Sequence, residues 1–80
     1  MARIYIGAGR KQKMRPADLV GAIANEAQLT ASQIGAIQIS ETFSLVELPE
    51  ELIDRVVAAL RATTIKGKRQ TVRRDLAKGR

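Results

Sequence analysis

The stretch Phe43-Ser44-Leu45-Val46-Glu47-Leu48-Pro49-Glu50-Glu51-Leu52-Ile53 decides the fold of this chain, because two periodicities meet inside it. Up to Leu48 the side chains alternate, which predicts a strand with Ser44, Val46 and Leu48 on one face and Phe43, Leu45 and Glu47 on the other. Pro49-Glu50-Glu51 then opens a helix whose apolar residues Leu52, Ile53, Val56, Val57 and Leu60 fall at offsets 0, 1, 4, 5 and 8, a single stripe at helical spacing. The same offsets occur earlier, at Leu19, Val20, Ile23, Ala24 and Ala27. That first helix opens at Pro16, whose missing N–H costs nothing at a first helical position, and Asp18 suits its positive end. Asp18, Asn25 and Glu26 mark its polar face.

Before Phe43, a Ser40-Glu41-Thr42 turn connects to residues 34–39, where Ile37 and Ile39 flank Gln38, so the two runs read as a hairpin. Leu29-Thr30-Ala31-Ser32 is a turn. At the start, Arg3-Ile4-Tyr5-Ile6-Gly7 reads as a strand with Ile4 and Ile6 on one face and Tyr5 on the other; a polar, basic loop over residues 8–14 follows. Past the second helix, Gly67 ends a turn and residues 69–74 form a last strand with Val72 inward. The expected domain is therefore residues 1–76, and residues 77–80 form a frayed basic tail. The order strand, helix, strand, strand, helix, strand is the split βαβ of ferredoxin-like α+β folds: a four-stranded antiparallel sheet with two helices on one face. Its other face stays in water and carries Tyr5, Phe43, Leu45 and Arg73.

Eighty residues with 45% apolar content suffice for one modest core. With no cysteine and no histidine, the usual structural zinc site, the thiol nucleophile, the Ser-His-Asp relay and disulfides are excluded, and no cofactor is expected. No apolar run approaches the roughly 20 residues that span a bilayer, so a cytoplasmic protein without a membrane partner is expected. The net charge of +6 is segregated: residues 1–15 carry +5, residues 16–60 carry −6 and residues 61–80 carry +7. Basic ends of this kind favour a polyanionic partner.

The chain's only tyrosine and only phenylalanine both fall on the open sheet face, on the first and third strands. RRM domains place aromatics there to stack unpaired bases of RNA. Ile4-Tyr5-Ile6 resembles their first-strand motif. The third-strand match is partial: Phe43, Ser44 and Val46 fit, but Glu41 stands for the basic residue, Thr42 for the glycine, and Leu45 and Leu48 for two aromatics. Tyr5 and Phe43 are therefore optional stackers, with ordinary cross-strand packing as the alternative. The basic segments are the sounder sign. Arg10, Lys11, Lys13 and Arg15 crowd a loop that leads into a helix N-terminus, itself attractive to phosphate, while Lys66, Lys68, Arg69 and Arg73 lie on or beside the last strand. A charged edge that only blocks aggregation is the alternative for the latter group. Gly7-Ala8-Gly9-Arg10-Lys11 lacks the spacing and the ending of a P-loop.

Ile6-Gly7, Gly9-Arg10-Lys11, Arg15-Pro16 with Asp18, Val20-Gly21-Ala22-Ile23-Ala24-Asn25, Ile34-Gly35-Ala36-Ile37, Phe43 to Pro49 and Ile65-Lys66-Gly67-Lys68 together resemble the C-terminal RNA-binding domain of DbpA-like and related DEAD-box RNA helicases. The helix string is the most specific piece, and Gly21 with its alanines is expected to let that helix approach the sheet closely. The resemblance implies a non-catalytic domain that captures structured, ribosomal RNA for an ATP-hydrolysing helicase core in the same parent chain, in ribosome biogenesis. It leaves room for a homodimer formed through other regions. The rival reading is an RRM-like protein-interaction or dimerisation module anchored on Phe43 and Leu45.

Overall fold

The computed structural model describes residues 2–75, so the expected tail at 77–80 lies outside the described residues. Its elements are β1 (Ala2–Ile6), α1 (Pro16–Ala27), β2 (Ile37–Ile39), β3 (Ser44–Leu48), α2 (Ile53–Arg61) and β4 (Val72–Arg74). The four strands form one sheet in the order β2-β3-β1-β4, and every neighbouring pair is antiparallel. This is the expected split βαβ topology. α1 packs on α2, and α2 packs on β1 and β4.

Alternation decides which face of the sheet goes inside. Ile4, Ile6, Val46, Leu48 and Val72 are buried, and they meet Leu19, Ile23 and Ala27 of α1 and Ile53, Val56 and Leu60 of α2. The core also recruits loop residues: Ala8, Met14, Leu29 and Ile65 are all buried. Each pins a connection onto the core, so these connections are held in place by buried apolar area as well as by hydrogen bonds.

Several boundaries differ from the sequence-based expectation. The last strand covers only residues 72–74, because residues 65–68 close a hairpin of their own with a bridge between Ile65 and Lys68. The second strand begins at Ile37 because the Ile34 amide bonds to the Ala31 carbonyl in a 3-10 turn. Gly35 and Ala36 both bond to Glu47, two residues opposite one, which is a bulge in the hairpin. The second helix is entered through a 3-10 turn at Glu50–Leu52. Within the polar, basic loop expected over residues 8–14, Arg10–Gln12 form another 3-10 turn. Gly21 does not serve close packing: it is exposed, and a Cβ added there would meet nothing within 4 Å. α1 turns that residue away from the sheet.

Candidate nucleic-acid interface

The loop between β1 and α1 is built as a rigid platform. The Gly9 amide donates to Gln12 Oε1 at 2.7 Å, and the Met14 amide returns to the Gly9 carbonyl at 3.1 Å. Two further amides reach across to the β2–β3 turn, Arg10 N to Ser40 O at 2.8 Å and Lys11 N to Glu41 O at 2.9 Å. Ser44, fully buried on β3, donates its hydroxyl to the Ala8 carbonyl at 2.7 Å. The third-strand motif thus contributes a loop anchor through its small residue.

The second basic segment approaches from the other side of β1. The Gly7 amide bonds to the Thr71 carbonyl at 2.8 Å, which carries the β1–β4 pairing past the end of the strands. The 65–68 hairpin turns tightly, with Lys66 at φ 57° and Gly67 at φ 79°. Two consecutive positive φ values are the signature of a type I′ turn, and glycine meets that demand at no steric cost. Gln70 Nε2 donates to the Ile65 carbonyl at 3.2 Å and ties the hairpin to its exit.

Between the two segments lies an open cleft of about 510 Å³, lined by Lys11, Gln12 and Lys13 from the loop and Lys66, Lys68 and Gln70 from the hairpin, together with Gly7. None of these lining residues is acidic. Among the described residues, Lys66 alone of its lysines has an ion partner, Asp18 at 3.5 Å. Asp18 also accepts the Arg15 amide at 3.0 Å, so the N-terminus of α1 carries its own anion and is not the open phosphate seat expected from the sequence. Lysine heads and glutamine amides converging on a space without aromatic or acidic walls suit phosphates better than bases.

Four of the ten expected binding residues therefore share this cleft: Lys11, Lys13, Lys66 and Lys68. Arg10 points instead to the β2–β3 turn, donating to Ile39 O at 3.2 Å and lying 3.7 Å from Glu41. Arg15 and Arg69 are exposed beside the cleft without lining it. Gly7, Gln12 and Gln70 escaped the sequence reading because their contribution depends on tertiary position; only the basic residues around them carried a signal.

Arg73, Tyr5 and Phe43 form a second cluster on the open sheet face. Tyr5 pairs directly with Leu45 on β3 and with Arg73 on β4, and Leu45 in turn pairs with Gln38 on β2. The Tyr5 and Phe43 rings stack with centroids 5.6 Å apart and planes 15° apart, and the Arg73 guanidinium carbon lies 4.2 Å over the Tyr5 ring. Both aromatics are half-buried by these contacts.

The sequence matches the family model described as the DbpA RNA binding domain over residues 3–74, which takes in the described strands and both helices save Ala2 at the start of β1. The chain belongs to the DbpA RNA-binding domain family. It is 44% identical over 62 residues to the ATP-dependent RNA helicase DeaD of Mycobacterium tuberculosis, covering 78% of this chain and 11% of that protein. To the ATP-dependent RNA helicase DbpA of Bacillus subtilis it is 36% identical over 70 residues, covering 88% of this chain and 15% of the relative. The chain thus spans less than a sixth of either helicase. The crystal structure of RNA Binding Protein PG1 superposes over the whole of both chains with a TM-score of 0.73 at 19% identity, a likeness of fold. As a DbpA-type domain the chain is a binding module and not the catalytic part of a helicase.

Proposed function

We infer that this DbpA-type domain tethers an ATP-dependent DEAD-box helicase core, carried on the same parent polypeptide, to structured RNA, with ribosomal RNA and ribosome biogenesis in the cytoplasm as its setting. ATP binding and hydrolysis belong to that core, and the domain works without a cofactor of its own. The observation that carries this reading is the acid-free cleft in which Lys11 and Lys13 face Lys66 and Lys68. Two phosphate-gripping walls on a fixed platform suit a backbone of defined shape, as a folded RNA presents. Arg15 and Arg69 flank the cleft and extend its field, Arg10 offers a further contact at the β2–β3 turn, and the sheet face is secondary. Residues 1–76 are the unit proposed to do this.

The test is a titration of the chain with a hairpin fragment of ribosomal RNA and with an unstructured strand of equal length, at two salt concentrations. Engagement of four or five cations gives a log-log salt slope on the order of −3 to −5. Lys11→Ala/Lys13→Ala and Lys66→Ala/Lys68→Ala each lower hairpin affinity about tenfold and flatten the slope by about two. A salt-insensitive complex, or variants that bind like wild type, would contradict the proposal. Failure to bind any RNA above background would point to the protein-interaction reading, with Phe43 and Leu45 as its anchors.

A further inference from the structure

The sheet face has the layout of a base-stacking platform but is closed. Tyr5 sits on β1, the strand between β3 and β4, and its two neighbours already use its ring: Phe43 stacks on it at 5.6 Å and Arg73 lies over it at 4.2 Å. The β3 position directly opposite Tyr5 holds Leu45, so no second aromatic extends the platform along that row. Arg73 is held in register from both ends of β4. Val72 is buried opposite Ile6, and its carbonyl accepts Arg61 Nε at 2.8 Å. On the other side the Asp75 amide bonds to the Arg3 carbonyl at 2.9 Å, and the Asp75 carboxylate pairs with Arg3 at 3.1 Å. These contacts fix the backbone that bears Arg73, and its guanidinium, 4.2 Å over the ring, occupies the surface on which a base of single-stranded RNA would stack.

We propose that Arg73 is a specificity-determining residue that disfavours single-stranded RNA by covering Tyr5, leaving the lysine cleft to select folded RNA through its backbone. A single strand must displace Arg73 before a base reaches Tyr5, whereas a hairpin bound in the cleft meets no such obstacle. The inference rests on the proposed RNA-binding role. It has an unusual consequence: removing this cation strengthens binding to one class of polyanion.

Tyr5 is the chain's only tyrosine, and there is no tryptophan, so intrinsic fluorescence reports on this ring alone. Wild type, Arg73→Ala, Arg69→Ala and the double variant Arg73→Ala/Tyr5→Leu are each titrated into a dye-labelled oligouridine octamer and a dye-labelled hairpin RNA, with affinity read from the anisotropy of the dye and Tyr5 quenching followed in the variants that keep the ring, after circular dichroism of each variant. Arg73→Thr, better suited to an edge strand, replaces the alanine variant if that loses strand content. The expected result is an affinity of Arg73→Ala for the octamer about two- to fivefold above wild type, with deeper quenching of Tyr5. Arg69→Ala, which also removes one positive charge, weakens both RNAs. Tyr5→Leu on the Arg73→Ala background erases the gain. If Arg73→Ala weakens octamer binding as Arg69→Ala does while hairpin binding in wild type is intact, the assignment of Arg73 is overturned and the RNA-binding role stands. If wild type binds neither RNA, both fall.

Discussion

Gly9 is buried where the loop after β1 crosses the β2–β3 turn, and a Cβ placed there would lie 2.7 Å from the Phe43 nitrogen, 2.8 Å from the Glu41 carbonyl carbon and closer still to the Ser40 oxygen. All three are backbone atoms that cannot swing aside. Gly9→Ala is therefore expected to lower stability by about 1–3 kcal/mol, the usual cost of overfilling a packed site, and urea unfolding measures it. Because the same contact fixes the turn that bears Lys11, hairpin affinity should fall as well, at a temperature where the variant remains folded. Nothing in the sequence distinguishes this glycine from a flexible loop residue: the demand for a missing Cβ comes from backbone more than thirty positions away. Ser44 is similar. Alternation assigned it to the core face, but only the structure explains a buried hydroxyl there, through the Ala8 carbonyl it satisfies.

At the scale of elements, the 65–68 hairpin is what brings the C-terminal cations to the cleft. Gly67 has open space around it, so its requirement is purely conformational: φ +79° suits glycine and strains any other residue. Gly67→Ala is expected to cost about 1 kcal/mol and to reduce hairpin binding through misplacement of Lys66 and Lys68, whereas the β1–α1 loop keeps its amide protection in hydrogen exchange. Equal loss of protection in both segments would mean the two walls are not independent. The main elements were legible because periodicity is strong: the matching apolar offsets of the two helices and the alternation of β1 and β3 reflect faces buried against one core. The hairpin was not, since a ladder of one residue pair has no periodicity to read. β4 was read with Val72 inward but begun too early, at 69 instead of 72, and the bulge at Gly35 and Ala36 was missed, because turn and bulge contacts override local alternation.

In the whole molecule, the segregated charge of the sequence becomes partly paired. Three of the ion pairs join a basic end to the acidic middle: Arg10 with Glu41, Lys66 with Asp18 and Arg74 with Glu50. Such exposed pairs add little stability, but they decide which cations stay available. Among the described residues Lys11, Lys13 and Lys68 form no ion pair, and all three line the cleft. The two halves of the candidate site were visible in sequence as basic segments near each end. Their convergence was not, because it depends on β4 lying beside β1 and on two tight turns facing each other across that pair.

The most direct test of the central claim, that the lysine cleft is where RNA is held, is to follow backbone amides by two-dimensional NMR as a hairpin fragment of ribosomal RNA is added to the isotope-labelled chain. The account predicts the largest shift changes at residues 7–14 and 65–70, with small ones at Leu45 and Gln38 on the open sheet face. Changes centred on Tyr5, Phe43, Leu45 and Arg73, or on the outer faces of α1 and α2 with the cleft unmoved, would contradict it.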